Sequence, residues 1–193
     1  SDMIAEGYDV GFRAGAMNEG SMIVREIAPL YFVVCGAGSY LQKNGAPQKP
    51  SDLMRHNCLR LRSPAIAGRA SNWLLGPNRA PVSPPVTGTL VANDITALVA
   101  ASVHGQGLVF APLPFVLPLF RSGALVPMMP DWIAKPGYLF LHYPNRRHLP
   151  ARVRSFVDFT LDSFRKNPDL TLDPQALLAP FLGPKRTKTL AKA

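Results

Sequence analysis

The stretch NDITALVAASVHGQGLVFAP, residues 93–112, decides the fold. Asn93 or Asp94 offers a side-chain oxygen to the free amides of a first helical turn, and Ile95, Leu98, Val99 and Ser102 recur at the spacing of one helix face. Gly105 and Gly107 end that helix. Leu108-Val109-Phe110-Ala111 then runs without a polar residue, as a strand does when both of its faces are buried in a parallel sheet. A helix feeding a parallel strand is therefore expected here.

Reading outward toward the C-terminus, Pro114 to Phe120 predicts a short helix ended by Gly123, and Ala124 to Met128 a returning strand. Tyr138 to Tyr143 predicts one more strand. Pro150 opens a helix whose apolar stripe is Val153, Phe156, Val157, Thr160, Leu161 and Phe164. Beyond Lys166 the pattern dissolves into a segment carrying Pro168, Pro174, Pro180 and Pro184. Its one apolar patch, Ala176 to Leu182, fits either a docked helix or a contact with a partner.

Toward the N-terminus, Val86 to Val91 and Trp73-Leu74-Leu75 predict a pair of strands around the turn Gly76-Pro77-Asn78. Cys58-Leu59-Arg60-Leu61-Arg62 is another strand, preceded by a brief helix that Ser51 or Asp52 caps, and Ser39 to Lys43 a further short helix. From Ile23 to Cys35 two apolar strand stretches are broken at Ala28-Pro29, which suits a strand that bends or crosses between two bodies. Tyr8 to Arg13 alternates as a strand and meets the turn-prone Ala14-Gly15.

Strands alternating with helices imply an α/β architecture with mainly parallel sheets. The break at Pro29 and the return near Pro127 imply two crossings between a pair of lobes, and a cleft between them is where ligands prefer to bind. The expected division is a first, partial lobe of residues 1–20 and 128–166, a second lobe of residues 21–127, and a basic, proline-containing tail of residues 167–193.

Composition bounds the function. With 193 residues, 47% apolar and 17% charged, the chain can bury a sizeable core. Its net charge of +9 raises the question of nucleic acid, but the basic residues are scattered except for Lys185, Arg186, Lys188 and Lys192 at the C-terminal end. A solvated tail is the ordinary reading of that run, and nucleic-acid contact the alternative. Cys35 and Cys58 sit in apolar strand-like runs, as buried thiols in a reducing compartment would. No apolar stretch approaches the ~18 residues of a membrane span, and the first residues lack the order of a signal peptide, so a cytoplasmic location is expected. His56, His104, His142 and His148 lie far apart with no metal-ligand spacing. There is no Gly-x-Ser-x-Gly elbow, no phosphate loop and no Ser/His/Asp set that these elements would bring together. Neither catalysis, a metal nor a cofactor is expected.

Three segments carry a resemblance. DMIAEGYDVGFRAG (2–15), IVREIAPLYFVVCGAGSYLQKNGAPQKPSDLMRHNCLRLR (23–62) and NDITALVAASVHGQGLVFAPLPFVLPLFRSGALVPMMP (93–130) follow one another as in the effector-binding domain of LysR-type transcriptional regulators. The resemblance covers roughly residues 2 to 165. It implies a fold like a type 2 periplasmic solute-binding protein and a small-molecule effector held between two lobes. Effector binding would be relayed to DNA through a winged helix-turn-helix that normally precedes this region and is absent here, and the opening pieces of the first lobe are also expected to be missing. Such domains generally assemble as dimers and tetramers, so a homodimer or homotetramer is expected. A free-standing solute-binding protein of the same fold is the rival reading.

An anionic organic effector would suit the helix N-terminus at Asn93, Asp94 and Ile95, where free amides and the positive dipole end meet, although Asn93 and Asp94 serve equally well as a plain cap. Arg13, at a strand end, can pair with a carboxylate, unless Glu19 holds it. Ala14 and Gly15 would allow close approach. Phe110, Ala111 and Pro112 can form an apolar wall, with core packing the ordinary fate of Phe110.

Overall fold

The computed structural model describes residues 7–14, 22–62, 70–76, 80–145 and 149–182. The element order is β1 (Gly11–Ala14), β2 (Met22–Gly36), α1 (Gly38–Asn44), a 3-10 turn (Pro50–Arg55), β3 (Cys58–Leu61), β4 (Val91–Ala92), α2 (Ile95–Val103) and β5 (Leu108–Pro112). Then come α3 (Leu113–Arg121), β6 (Val126–Met128), a 3-10 turn (Pro130–Trp132), β7 (Ala134–Pro144), α4 (Ala151–Lys166), α5 (Pro168–Thr171), α6 (Pro174–Leu178) and a last 3-10 turn (Ala179–Phe181). The strands are hydrogen-bonded in the order β1-β7-β2-β5-β3-β4, with β6 also on β2.

The long strand β2 organises this sheet. Its first part, Met22 to Phe32, runs antiparallel to β7, and its last part, Phe32 to Gly36, pairs with β5 and β6. Register shifts fall between Glu26 and Ala28 and between Leu30 and Phe32. They flank Pro29, which has no amide to give to a ladder, so the strand bends where it leaves one half of the sheet for the other. The break expected at Ala28-Pro29 is thus two irregularities inside one continuous strand. The return crossing belongs to β7, a few residues beyond Pro127, after a turn that Met129 makes with a left-handed backbone (φ 52°).

The parallel pairing expected for α2 and its following strand is present: β5 lies parallel to β3, and β3 to β4. The expectation of mainly parallel sheets needs correction, because β1–β7, β2–β7, β2–β5 and β2–β6 are all antiparallel. An unbroken apolar run reports that both faces of a strand are covered and carries no information on the direction of its neighbour. Here alternate residues of β5 enter different cores: Val109 and Ala111 pack beneath α2 and α3 with Val33, Cys35, Leu59 and Leu98. Leu108 and Phe110 pack on the opposite face with Val34, Cys58 and Trp73. A third core gathers Leu141 and Tyr143 of β7 with Val153 and Val157 of α4.

Two further expectations differ in detail. Trp73 to Leu75 and Val86 to Val91 do not pair as strands: Leu75 makes an isolated bridge to Val82, and only Val91 and Ala92 join the sheet. The reason is that Trp73 and Leu75 anchor this segment by burial rather than by a ladder. The apolar patch of the C-terminal segment resolves in favour of docking, since Leu178 is fully buried in the α2/α3 core, with Leu177, Phe181 and Leu182 against it. The basic run Lys185 to Lys192 lies outside the described residues.

Candidate functional site

A cleft of about 530 Å³ opens where β2 and β7 cross. Each wall follows from a local feature of the chain. The bent middle of β2 contributes Ala28, Pro29, Leu30 and Phe32, because its bulges turn consecutive side chains toward the gap. Leu61 ends β3, Ile95 opens α2, and Pro112, Pro114 and Phe115 stand at the junction of β5 and α3. From the other side come Ala14 of β1, Leu139 of β7 and Phe164 of α4, with Asn167, Asp169 and Leu170 of the C-terminal segment completing the rim. A volume of this size fits the usual range for small-molecule sites.

The sequence-predicted residues divide. Ala14, Ile95 and Pro112 line the cleft. Arg13 precedes Ala14 on β1, so it projects from the opposite face of the strand, within electrostatic reach of His142. Ala111 is buried in the α2/α3 core, and Phe110 sits 5.7 Å from Trp73 and 5.3 Å from Phe32, ring centroid to ring centroid. Asn93 is exposed beside the cap, and Gly15 and Glu19 lie outside the described residues. Asp94 is the N-cap of α2: its carboxylate accepts from the Thr96 amide at 2.8 Å and from the Thr96 hydroxyl at 2.7 Å. Those two bonds hold the carboxyl below its ordinary range, so a negative charge already occupies the helix terminus that faces the cleft.

The C-terminal segment was not foreseen as part of this site. Asn167 caps α5 by accepting from the Asp169 amide at 3.0 Å, which turns Asp169 and Leu170 toward the rim. Arg121, at the end of α3, grips both oxygens of Asp169, Nη1 to Oδ2 at 2.8 Å and Nη2 to Oδ1 at 2.6 Å. The guanidinium keeps the Asp169 carboxyl ionised and below its usual range. No local pattern announces this contact, because its partners are 48 residues apart.

Chemically the cleft can bind but has little with which to react. Among its described lining residues there is no histidine, cysteine, serine or basic side chain. Cys35 and Cys58 are buried away from it, and burial pushes the Cys58 thiol up to about 12 and raises that of Cys35 further. Among the described residues no group of three or more His, Cys, Asp or Glu could hold a metal ion, and no helix is long and apolar enough to cross a membrane.

An α/β body crossed twice by long strands, with an apolar cleft at the crossing, defines a ligand-sensing domain of the type 2 periplasmic-binding-protein fold. The chain belongs to the LysR substrate binding domain family, which it matches over residues 1–165. It is 33% identical over 187 residues to the HTH-type transcriptional repressor PA14_22550 of Pseudomonas aeruginosa (strain UCBPP-PA14), covering 92% of this chain and 56% of that protein. It is 30% identical over 163 residues to the HTH-type transcriptional activator AaeR of Escherichia coli (strain K12), covering 84% and 52%. The chain spans about half the length of the curated relatives it matches. Among solved structures it resembles the regulatory domain of AphB in Vibrio vulnificus, with TM-score 0.66 and 26% identity over 82% of this chain and 76% of that one. It also shares the fold of CrgA, a LysR-type transcriptional regulator from Neisseria meningitidis, with TM-score 0.74 at 22% identity, covering 86% and 55%. The relatives are transcription regulators, not enzymes. Because the family match stops at residue 165, an alignment covering 92% of the chain also takes in part of the C-terminal segment.

Proposed function

We propose that this chain is the effector-sensing part of a cytoplasmic, homo-oligomeric transcription regulator and that it binds a small molecule in the cleft at the β2/β7 crossing. The observation that carries the reading is the composition of that cleft's walls, which come from the middles of β2 and β7 and from elements on both sides of their crossing. The division proposed is a partial first lobe of residues 1–20 and 128–166 and a second lobe of residues 21–127; separate cores on either side of the crossing favour two halves, although Ile23 and Ile27 pack with β7 and α4, and Met128 and Met129 with Cys58 and Trp73, across those bounds. A molecule touching both halves is bound more tightly in one relative arrangement than in another, and only that difference in affinity can shift the arrangement. In the whole protein the shift passes to a DNA-binding module on the N-terminal side, and from there to the operator. The helix-turn-helix relatives favour this reading over a free-standing solute-binding protein. No cofactor and no catalytic residue belong to it.

Ala28→Trp tests it. Ala28 lines the cleft at 5% exposure, and an indole there fills the space a ligand would take. In a thermal-shift screen of small organic molecules, hits raise the melting temperature of the natural chain by mass action and leave Ala28→Trp unmoved. Hits that stabilise both proteins equally place the ligand elsewhere.

A further inference from the structure

The chemistry of the cleft says more about its occupant than its volume does. Its walls are aliphatic, aromatic or proline at every described position except Asn167 and Asp169. A carboxylate moved into such a space loses its hydration, and the loss is recovered only where a cation or a set of free donors replaces the water. No lysine, arginine or histidine is among the described lining residues. Of the helix N-termini that reach the cleft, that of α2 already carries the Asp94 carboxylate, bonded to the Thr96 amide and hydroxyl, that of α5 is capped by the Asn167 side chain, and that of α3 opens on Pro112 and Pro114, which have no amide to give. On the opposite rim stands Asp169, also a carboxylate. A cationic ligand fares no better, because both oxygens of Asp169 are taken by Arg121.

We propose that the cleft selects an uncharged, largely apolar small molecule, and that the α5 segment sets this preference, Leu170 as apolar wall and Asp169 as the group that occupies Arg121 and so withholds that guanidinium from an anion. The proposal rests on the cleft being the effector site, and it departs from the anionic ligand that a free helix N-terminus would have suited. The short segment that begins at Asn167 thereby acquires a role in specificity. It is held from two directions: the ion pair to α3 on one side, and Leu178, sunk in the α2/α3 core, on the other.

Three probes of equal bulk separate the possibilities: para-tert-butylbenzamide, para-tert-butylbenzoate and para-tert-butylbenzylamine, neutral, anionic and cationic at pH 7. Each is titrated into the 193-residue chain while the backbone amides of cleft residues are followed by NMR, with Asp169→Asn and Leu170→Ser in parallel and thermal melts to verify folding. The benzamide is expected to bind at least about tenfold more tightly than either charged probe, a difference of ~1.4 kcal/mol. Asp169→Asn frees Arg121 and is expected to improve benzoate binding at least about threefold relative to the benzamide, while Leu170→Ser weakens the benzamide. Tighter binding of the benzoate or the benzylamine to the cleft overturns the neutral preference and leaves the cleft standing as a ligand site. Unchanged selectivity in both folded variants overturns the role of α5. If none of the three perturbs cleft amides at millimolar concentration, the cleft as effector site falls together with the preference.

Discussion

His56 shows how one buried side chain ties the stability of this protein to pH. It closes the turn Pro50–Arg55, buried with its Nδ1 3.3 Å from the Tyr40 hydroxyl, which in turn accepts from the Asn57 amide at 2.9 Å. Burial holds its pKa below the ordinary value, the neighbouring Arg55 adds to this, and Asp52 opposes it. The sign follows directly: the unfolded chain takes up the proton first as pH falls through the ordinary histidine range near ~6.5, so stability is full above that range and is lost toward the lower folded value. Burial and Arg13 depress His142 in the same direction. The melting temperature is expected to drop between neutral and mildly acidic pH, and His56→Phe to shrink that drop; equal slopes for the two proteins would remove His56 as a contributor.

At the scale of elements, the C-terminal segment behaves as part of the fold. α6 begins at Asp173, whose carboxylate accepts from the Gln175 and Ala176 amides at 3.1 Å, so a five-residue helix is seeded by its cap. So short a helix cannot persist on propensity and depends on packing for its stability. That packing is Leu178, fully buried, with the Phe181 ring tilted against Phe120, centroids 5.9 Å apart. Leu178→Ala is expected to cost about 2–5 kcal/mol, by loss of burial plus the cavity left behind. Leu172→Ala, at a half-exposed position between α5 and α6, should stay within about 0.5 kcal/mol. Urea unfolding midpoints of the two variants measure the contrast, and a silent Leu178→Ala would mean that the segment is not docked in solution.

Over the whole molecule, the two ends of the crossing strands carry separate cores. Val157 belongs to the β7/α4 core, whereas β3 and β5 are buried between the other two. If the halves open as distinct units, Val157→Ala lowers hydrogen-exchange protection in α4 and β7 more than in β3 and β5. Uniform loss across the sheet would argue for one undivided cooperative body and against the proposed lobes.

The local grammar of the chain determined the elements: the Asp94 cap, the glycines after α2, the proline break in β2 and the apolar stripe of α4 are near-neighbour effects, written in residues a few positions apart. It also determined the family, since quoted segments sufficed for the resemblance. What it left open was contact between distant segments. The direction of β2 against β5 and β7 depends on how the chain returns. Ala14 lines the cleft and Arg13 does not because strand pleating, set by pairing with β7, points neighbours to opposite faces. Phe110 enters a core because Trp73 and Phe32 wait there. Asp169 is held at the cleft rim by Arg121, 48 residues away in sequence. Hydrogen bonding and helical periodicity act over a few residues and can be read along the chain, whereas the composition of a cleft depends on which surfaces meet, and that is decided by tertiary packing.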